Sequence, residues 1–283
     1  MSAALEVETV RLGLIGDNIA RSQAPRLHEL AGRSIGVPVR YERLVPAVLA
    51  QDFEAVFETA RRSGFRGLNI TYPYKERVVR LVSPADPAVA ALGAVNTVLF
   101  AADGPLGYNT DRSGFVAAYR HVLGDRAPGP VCMVGAGGVG KAVAFGLLPL
   151  GLESLTLVER DLPKAETLAA ALEAASPGLT VRTTGDVAEG TVGAAGLINC
   201  TPVGMVGYEG KQLPRPLMKG ATWAFDAVYT PVETQFLTDA AAEGLAVMSG
   251  WELYFYQGQH AFAIFHGRQI DEGLLRRVLM EGA

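Results

Sequence analysis

The chain has 283 residues, 49% of them apolar and 19% charged, with 25 basic against 29 acidic side chains. This length and composition exclude a disordered chain and call for a packed core in one large or two medium domains. The formal charge of −4 argues against a nucleic-acid partner, and no stretch approaches the ~18 uninterrupted apolar residues of a membrane helix.

In chain order, "VRLGLIGD" (Val10–Asp17) reads as a short apolar strand ending in a glycine turn. "PRLHELAGRSIG" (Pro25–Gly36) reads as a helix, with proline in its first turn and glycine past its end. "RYERLVP" (Arg40–Pro46) is a second strand, and Gln51–Ser63 carries apolar residues at helical spacing before Gly64. "GLNITYPYKER" (Gly67–Arg77) is a third strand. Alternation puts Asn69, Thr71 and Lys75 on one face and Leu68, Ile70, Tyr72 and Tyr74 on the other. Pro73 ends the ladder near Tyr72 and leaves Lys75 on the loop beyond. A polar row at a strand end is a frequent place for a site, and equally an ordinary solvated face. Strand and helix alternate so far, which predicts a mainly parallel sheet.

"GAVNTVLFAADGPLGYNTDRSGF" (Gly93–Phe115) reads as two strands joined by a turn at Asp103–Gly104. The Gly- and Pro-rich "LGDRAPGP" (Leu123–Pro130) reads as a linker into a second domain. That domain opens with a buried strand (Val131–Val134), a glycine turn and a helix. Gly135, Gly137 and Gly140 have the spacing G-x-G-x-x-G, which serves a tight turn, close approach of a pyrophosphate and close helix–strand packing. The helix N-terminus offers unpaired N–H groups to phosphates. The next strand, "SLTLVER" (Ser154–Arg160), brings Glu159 to its end, 19 residues after Gly140. An acid there accepts the adenosine ribose hydroxyls of a dinucleotide. A Walker-type phosphate loop does not fit, because the spacer and the Ser/Thr after Lys141 are missing. "AGLINC" (Ala195–Cys200) and "ATWAFDAVY" (Ala221–Tyr229) read as further strands, and an aromatic helix follows from Gly250. No signal peptide is read at the N-terminus, so the expected localisation is cytoplasmic, with Cys132 and Cys200 as buried free thiols. His28, His121, His260 and His266 lack ligand spacing, and no metal is expected.

Taken together, these pieces resemble the shikimate/quinate dehydrogenase family nearly end to end. "NITYPYK" (Asn69–Lys75) resembles N-x-T-x-P-x-K, "GAVNT" (Gly93–Thr97) resembles G-A-x-N-T, and "GYNTDRSG" (Gly107–Gly114) resembles G-x-N-T-D-x-x-G. "GAGGVGKA" (Gly135–Ala142) is similar to the cofactor loop, and "NCTPVGM" (Asn199–Met205) to N-x-T-x-x-G-M. "DAVYTPVET" (Asp226–Thr234) is similar to D-x-x-Y-x-P-x-x-T, and "YQGQHAF" (Tyr256–Phe262) to the last substrate-contacting helix. The resemblance implies an α/β fold with an N-terminal α/β substrate-binding domain (1–112 plus 250–283) and a Rossmann domain (113–249). The C-terminal helix would return to the first domain. It implies an oxidoreductase that exchanges hydride between a nicotinamide cofactor and a ring hydroxyl of shikimate, quinate or a close analogue. The setting would be aromatic amino acid biosynthesis through chorismate, the state monomer or homodimer, with neither nucleic acid nor membrane as partner.

The resemblance assigns Lys75 and Asp111 as the catalytic pair. Ser22, Asn69, Thr71, Asn96, Tyr229 and Gln257 would hold the substrate. Gly135, Ala136, Gly137, Gly138, Val139, Gly140, Glu159, Arg160, Thr201, Met205 and Gly250 would line the cofactor. The pattern breaks twice. Where the family carries S-x-S-P for the substrate carboxylate, this chain has Ser22 but Ala24, which opens the substrate to quinate or an amino analogue of shikimate. Where NADP-using members carry N-R-T, this chain has Glu159, Arg160 and Asp161, which favours NAD over NADP with dual use open. Two other classes stand beside this reading: a cofactor-binding regulator without turnover, and a hydrolase built on Ser22 and His28. The hydrolase lacks a G-x-S-x-G elbow.

Overall fold

The structure is a computed structural model that describes residues 8–281. The chain forms two compact units. One runs up to Thr110 and resumes at Gly258; the other is Asp111–Gln257.

The first unit is built on a six-stranded mixed sheet. In chain order it contains β1 (Val10–Ile15), α1 (Ala24–Ser34), β2 (Val39–Leu44), α2 (Phe53–Arg62) and β3 (Gly67–Ile70). β4 (Ser83–Pro84), α3 (Pro87–Leu92), β5 (Thr97–Ala101) and β6 (Gly104–Tyr108) follow. The strand order is β2-β1-β3-β5-β6-β4. β1 is parallel to β2 and β3, whereas β5 is antiparallel to both β3 and β6. The βα alternation thus gives a parallel half, and the short turn at Asp103–Gly104 gives an antiparallel one. Asp52 caps α2 by accepting the Ala55 N–H at 2.8 Å, and the helix buries Phe53, Val56, Phe57 and Ala60 against Leu68 and Ile70. The alternation expected through Tyr74 stops at Ile70. All four residues of β3 are buried, Tyr72 is 75% exposed, and Tyr74 turns inward to stack on Phe53 at 4.6 Å.

His28 sits on the inner face of α1, 1% exposed, with ring centroids of Tyr41 at 5.1 Å and Phe265 at 5.5 Å. Burial and the facing His266 hold its pKa down to about 3, against an opposing hydrogen bond to Asn69. His266, beside Arg268 and Arg66, is held down to about 4, chiefly by burial. The unfolded chain therefore takes up a proton on His28 below pH 6.5, while the folded unit stays neutral until about pH 3. Between those values protons favour the unfolded chain, so stability is lost as pH falls. Below pH 6.5 each pH unit removes on the order of 1 kcal/mol through His28. His28→Phe is expected to remove that share of the slope. Urea midpoints of the first unit measured from neutral to mildly acid pH would check it, and an unchanged slope would contradict it.

The second unit is a fully parallel six-stranded sheet in the order β12-β11-β10-β7-β8-β9. Its elements in chain order begin with α4 (Thr110–Leu123), β7 (Val131–Val134), α5 (Gly138–Leu147) and β8 (Ser154–Val158). They continue with α6 (Leu162–Ala175), β9 (Thr180–Thr184), α7 (Val187–Gly190), β10 (Gly196–Asn199) and β11 (Trp223–Asp226). α8 (Gln235–Ala242), β12 (Ala246–Met248), α9 (Gly250–His266) and α10 (Glu272–Glu281) complete the described chain. Strands leave β7 in both directions, which is the doubly wound dinucleotide-binding order with its switch between β7 and β10. α9 gives its first half to this unit and the rest, with α10, to the first.

Three expectations need correction. The Gly/Pro-rich stretch Leu123–Pro130 is not the joint between units but lies inside the second. The Trp223 Nε1–H donates to Pro128 O at 2.9 Å, and the Ala195 N–H to Pro130 O at 2.7 Å, so the loop is tied to the sheet. The returning segment begins at Gly258 rather than at 250. Cys132 is buried, but Cys200 is only half-buried. No helix among the described residues is long and apolar enough to cross a membrane.

Candidate active site

In the first unit the polar residues expected at the site gather at the ends of β1, β3 and β5. Asn69 is 7% exposed and fully engaged. Its Oδ1 accepts the Tyr41 hydroxyl at 2.8 Å, and its amide donates to Thr97 Oγ1 at 3.0 Å and Asn96 O at 3.4 Å. Asn96, 4% exposed, accepts at Oδ1 from Thr97 Oγ1 and from the Thr110 N–H, and donates to Thr110 Oγ1 at 3.0 Å. Asn69, Thr97, Asn96 and Thr110 thus form one buried network, the kind that fixes side-chain orientation when every member is satisfied. Thr71 and Lys75 are half-buried. The Thr71 N–H donates to Ile15 O at 2.9 Å, and Lys75 O accepts the Val95 N–H at 2.8 Å. Ser22 lies in the turn before α1, where its hydroxyl accepts the Ala24 N–H at 3.3 Å. Ala24 itself starts the helix and packs on the apolar cluster around Leu12 and Ile19.

Asp111 opens the second unit in the first turn of α4 and is 8% exposed. Tyr229 follows β11 and stacks on Tyr254 of α9 at 5.2 Å, and burial pushes its pKa up. Gln257, also on α9, donates to Tyr254 O at 3.0 Å.

The glycine turn follows from sterics. Gly135 has φ of 100°, a conformation L side chains avoid. A Cβ at Gly140 would lie 2.2 Å from Gly135 O, so only glycine lets α5 sit this close to the turn. A Cβ at Gly137 would meet nothing nearer than Lys164 Nζ at 3.9 Å, leaving an open approach to the helix N-terminus, with half-buried Gly138 and Val139 in its first turn. Glu159 closes the other side. Its Oε2 accepts the Ala136 N–H at 2.9 Å, and its Oε1 accepts the N–H groups of Arg160 at 2.9 Å and Asp161 at 3.3 Å. Burial raises its pKa, but these bonds and the nearby Lys164 outweigh it and keep the carboxylate below its ordinary value. The arrangement fits a dinucleotide: a cradle a methyl would fill, a helix N-terminus for phosphate, and an ionised acceptor for ribose hydroxyls.

Sequence reasoning missed the support of this cradle. Asp226, fully buried, accepts from Asn199 Nδ2 at 2.8 Å, from the Val228 N–H at 3.0 Å and from Thr234 Oγ1 at 2.6 Å. Asn199 Oδ1 in turn accepts the Thr201 N–H and hydroxyl. One carboxylate thus fixes the loop carrying Thr201 and Met205 and the loop carrying Tyr229. Gly250 has a packing task, since a Cβ there would lie 2.5 Å from Val228 O. Lys164 was also missed. Its signal was a basic residue in the first turn of the helix that follows Glu159.

The family model for the shikimate dehydrogenase substrate binding domain matches residues 14–98. The quinate/shikimate dehydrogenase (NAD(+)) of Corynebacterium efficiens is 36% identical over 282 residues, covering 96% of this chain and 98% of its own. The shikimate dehydrogenase (NADP(+)) of Arthrobacter sp. strain FB24 is 37% identical over 279 residues, covering 97% of this chain and 95% of its own. The solved structure of quinate dehydrogenase from Corynebacterium glutamicum in complex with NAD matches with a TM-score of 0.90 at 32% identity, covering 96% of this chain and 99% of that one. With that identity across nearly its whole length and the same two-unit α/β architecture, the chain belongs to the shikimate/quinate dehydrogenase family.

Proposed function

We propose that this chain reversibly exchanges hydride between a nicotinamide cofactor and the ring hydroxyl of shikimate or quinate, with NAD preferred over NADP. The observation that carries the cofactor preference is Glu159. Its carboxylate stands at the end of β8, held by three backbone N–H groups and ionised. It can accept both hydroxyls of an adenosine ribose, whereas a 2′-phosphate would meet like charge. Bound nicotinamide supplies the hydride acceptor for oxidation and the donor for reduction.

In this reading Lys75 exchanges the hydroxyl proton, and Asp111 orients the ammonium. Such a positioned acid–base group supplies roughly 10²–10⁴-fold in rate. Ser22 and Thr71 bind the substrate together with Tyr229 and Gln257. Asn96 offers a ring hydroxyl the amide proton that Thr110 does not take. Asn69, with both amide protons engaged, stands behind Asn96 and holds its backbone.

The test is initial rates of NAD(P)H formation with shikimate and with quinate, each against NAD and NADP. Turnover with NAD is expected to exceed that with NADP by about tenfold or more in kcat/KM, equivalent to ~1.4 kcal/mol of discrimination. Glu159→Asn is expected to raise NADP use by about tenfold. Preference for NADP in the unaltered chain would overturn the cofactor assignment. Absence of turnover with either acid and either cofactor would overturn the activity.

A further inference from the structure

Lys75 lies in a turn that Asp17 holds on both sides of Pro73, by its backbone N–H before the proline and by its carboxylate after it. The Asp17 N–H donates to Tyr72 O at 3.2 Å, and the Asp17 carboxylate accepts the Tyr74 hydroxyl at 2.6 Å. The Tyr74 ring lies flat on Phe53, 4.6 Å between centroids and 9° between planes. The Tyr74 N–H donates to Thr71 O at 2.9 Å. Residue 17 thus reaches across from the end of β1 and brackets Tyr72, Pro73 and Tyr74, immediately before the lysine. Of these hydrogen bonds only the one between Asp17 and Tyr74 joins two side chains, and so only it can be removed without touching the backbone. The carboxylate holds the phenol firmly protonated, with a pKa pushed up to about 12, so the donor is present throughout the working range.

We propose that Asp17 and Tyr74 are positioning residues for Lys75, their hydrogen bond fixing the turn from which the lysine reaches the reacting hydroxyl. The inference rests on the acid–base role proposed for Lys75. Misplacement of a reacting group by about 1 Å can cost up to ~10²-fold, and loosening one tie in a turn otherwise held by the backbone should cost less.

Tyr74→Phe keeps the ring on Phe53 and removes only the hydroxyl. It is expected to lower kcat by roughly tenfold while leaving the NAD dissociation constant unchanged. Asp17→Ala should match it. Asp17→Asn keeps an acceptor oxygen and should stay within about threefold of the unaltered enzyme. The deciding measurement is Tyr74→Phe in a Lys75→Met background. A positioning role predicts no further loss of the residual turnover, because the group being positioned is gone. Equal losses in both backgrounds, or unchanged kcat in Tyr74→Phe while Lys75→Met is crippled, would overturn the inference and leave the role of Lys75 standing. An unaffected Lys75→Met would overturn both together.

Discussion

Lys75→Met is expected to lower kcat by about 10²–10⁴-fold while NAD still binds with unchanged affinity. Methionine keeps the length and apolar stem of lysine and deletes the ammonium, so the change reads out proton exchange rather than packing. The side chain is half-buried, and the backbone tie from Val95 to Lys75 O does not depend on its identity. The turn should therefore survive. The glycine cradle and Glu159 lie in the other unit, so cofactor affinity measured by fluorescence titration is the internal control. Steady-state rates with the better of shikimate and quinate give kcat. A loss smaller than about tenfold would take Lys75 out of the proton path, because a general acid–base group positioned on the reacting oxygen contributes more than that.

The sequence was most legible where one short-range rule acts alone. β7 and the glycine turn were read to the residue because a four-residue apolar strand followed by G-x-G-x-x-G admits few conformations. Glu159 was legible for the same reason, since the spacing of a βαβ unit places it. The polar row at Gly67–Arg77 was less legible. Alternation assigned Asn69 to an open polar face, but Tyr41 from β2 and Thr97 from β5 converge on it and bury it. Both partners are 28 residues away in sequence, so no local pattern announces them. The Gly/Pro-rich stretch Leu123–Pro130 does not mark the joint because Gly and Pro mark loops, not domain boundaries, whereas the expected bound at 112 lies beside the division after Thr110. The division falls at the first residue of α4 and midway along α9, where the helix runs on through Gly258. β9 went unread because it is an edge strand of half-exposed polar residues, "TVRTT", with little apolar alternation. α6 announced itself through Asp161 at its cap and Pro163 in its first turn, signals that were available and unused. The Asp226 network was invisible because its members are separated by 27 and 8 residues and meet only when β10 and β11 pair.

Gly140→Ala is expected to cost both stability and cofactor binding, and Gly137→Ala cofactor binding alone. At Gly140 the added methyl would stand 2.2 Å from Gly135 O and 3.1 Å from Gly135 C, against backbone rather than a yielding side chain. The helix and the turn must part by roughly 1 Å to restore ordinary contact, and overpacking of this kind typically costs about 1–3 kcal/mol. Moving the turn also displaces the Ala136 N–H from Glu159 Oε2, now 2.9 Å apart, and with it the ribose acceptor. NAD affinity should fall by about 100-fold, with a visible drop in Tm. At Gly137 the backbone is extended, with φ of −73° and ψ of −170°, and the nearest atom to a new Cβ is the far end of Lys164 at 3.9 Å. Alanine therefore fits the unliganded fold, and Tm should hold within about 2 °C. The methyl would nonetheless occupy the open approach to the α5 N-terminus, where the pyrophosphate must come closest to backbone. NAD affinity should fall there too, by about tenfold or more. Thermal denaturation and NAD titration of the two variants side by side separate the two glycine tasks. A Gly137→Ala chain that binds NAD normally would mean that the phosphates do not approach through the cradle, and the dinucleotide placement would fail with it.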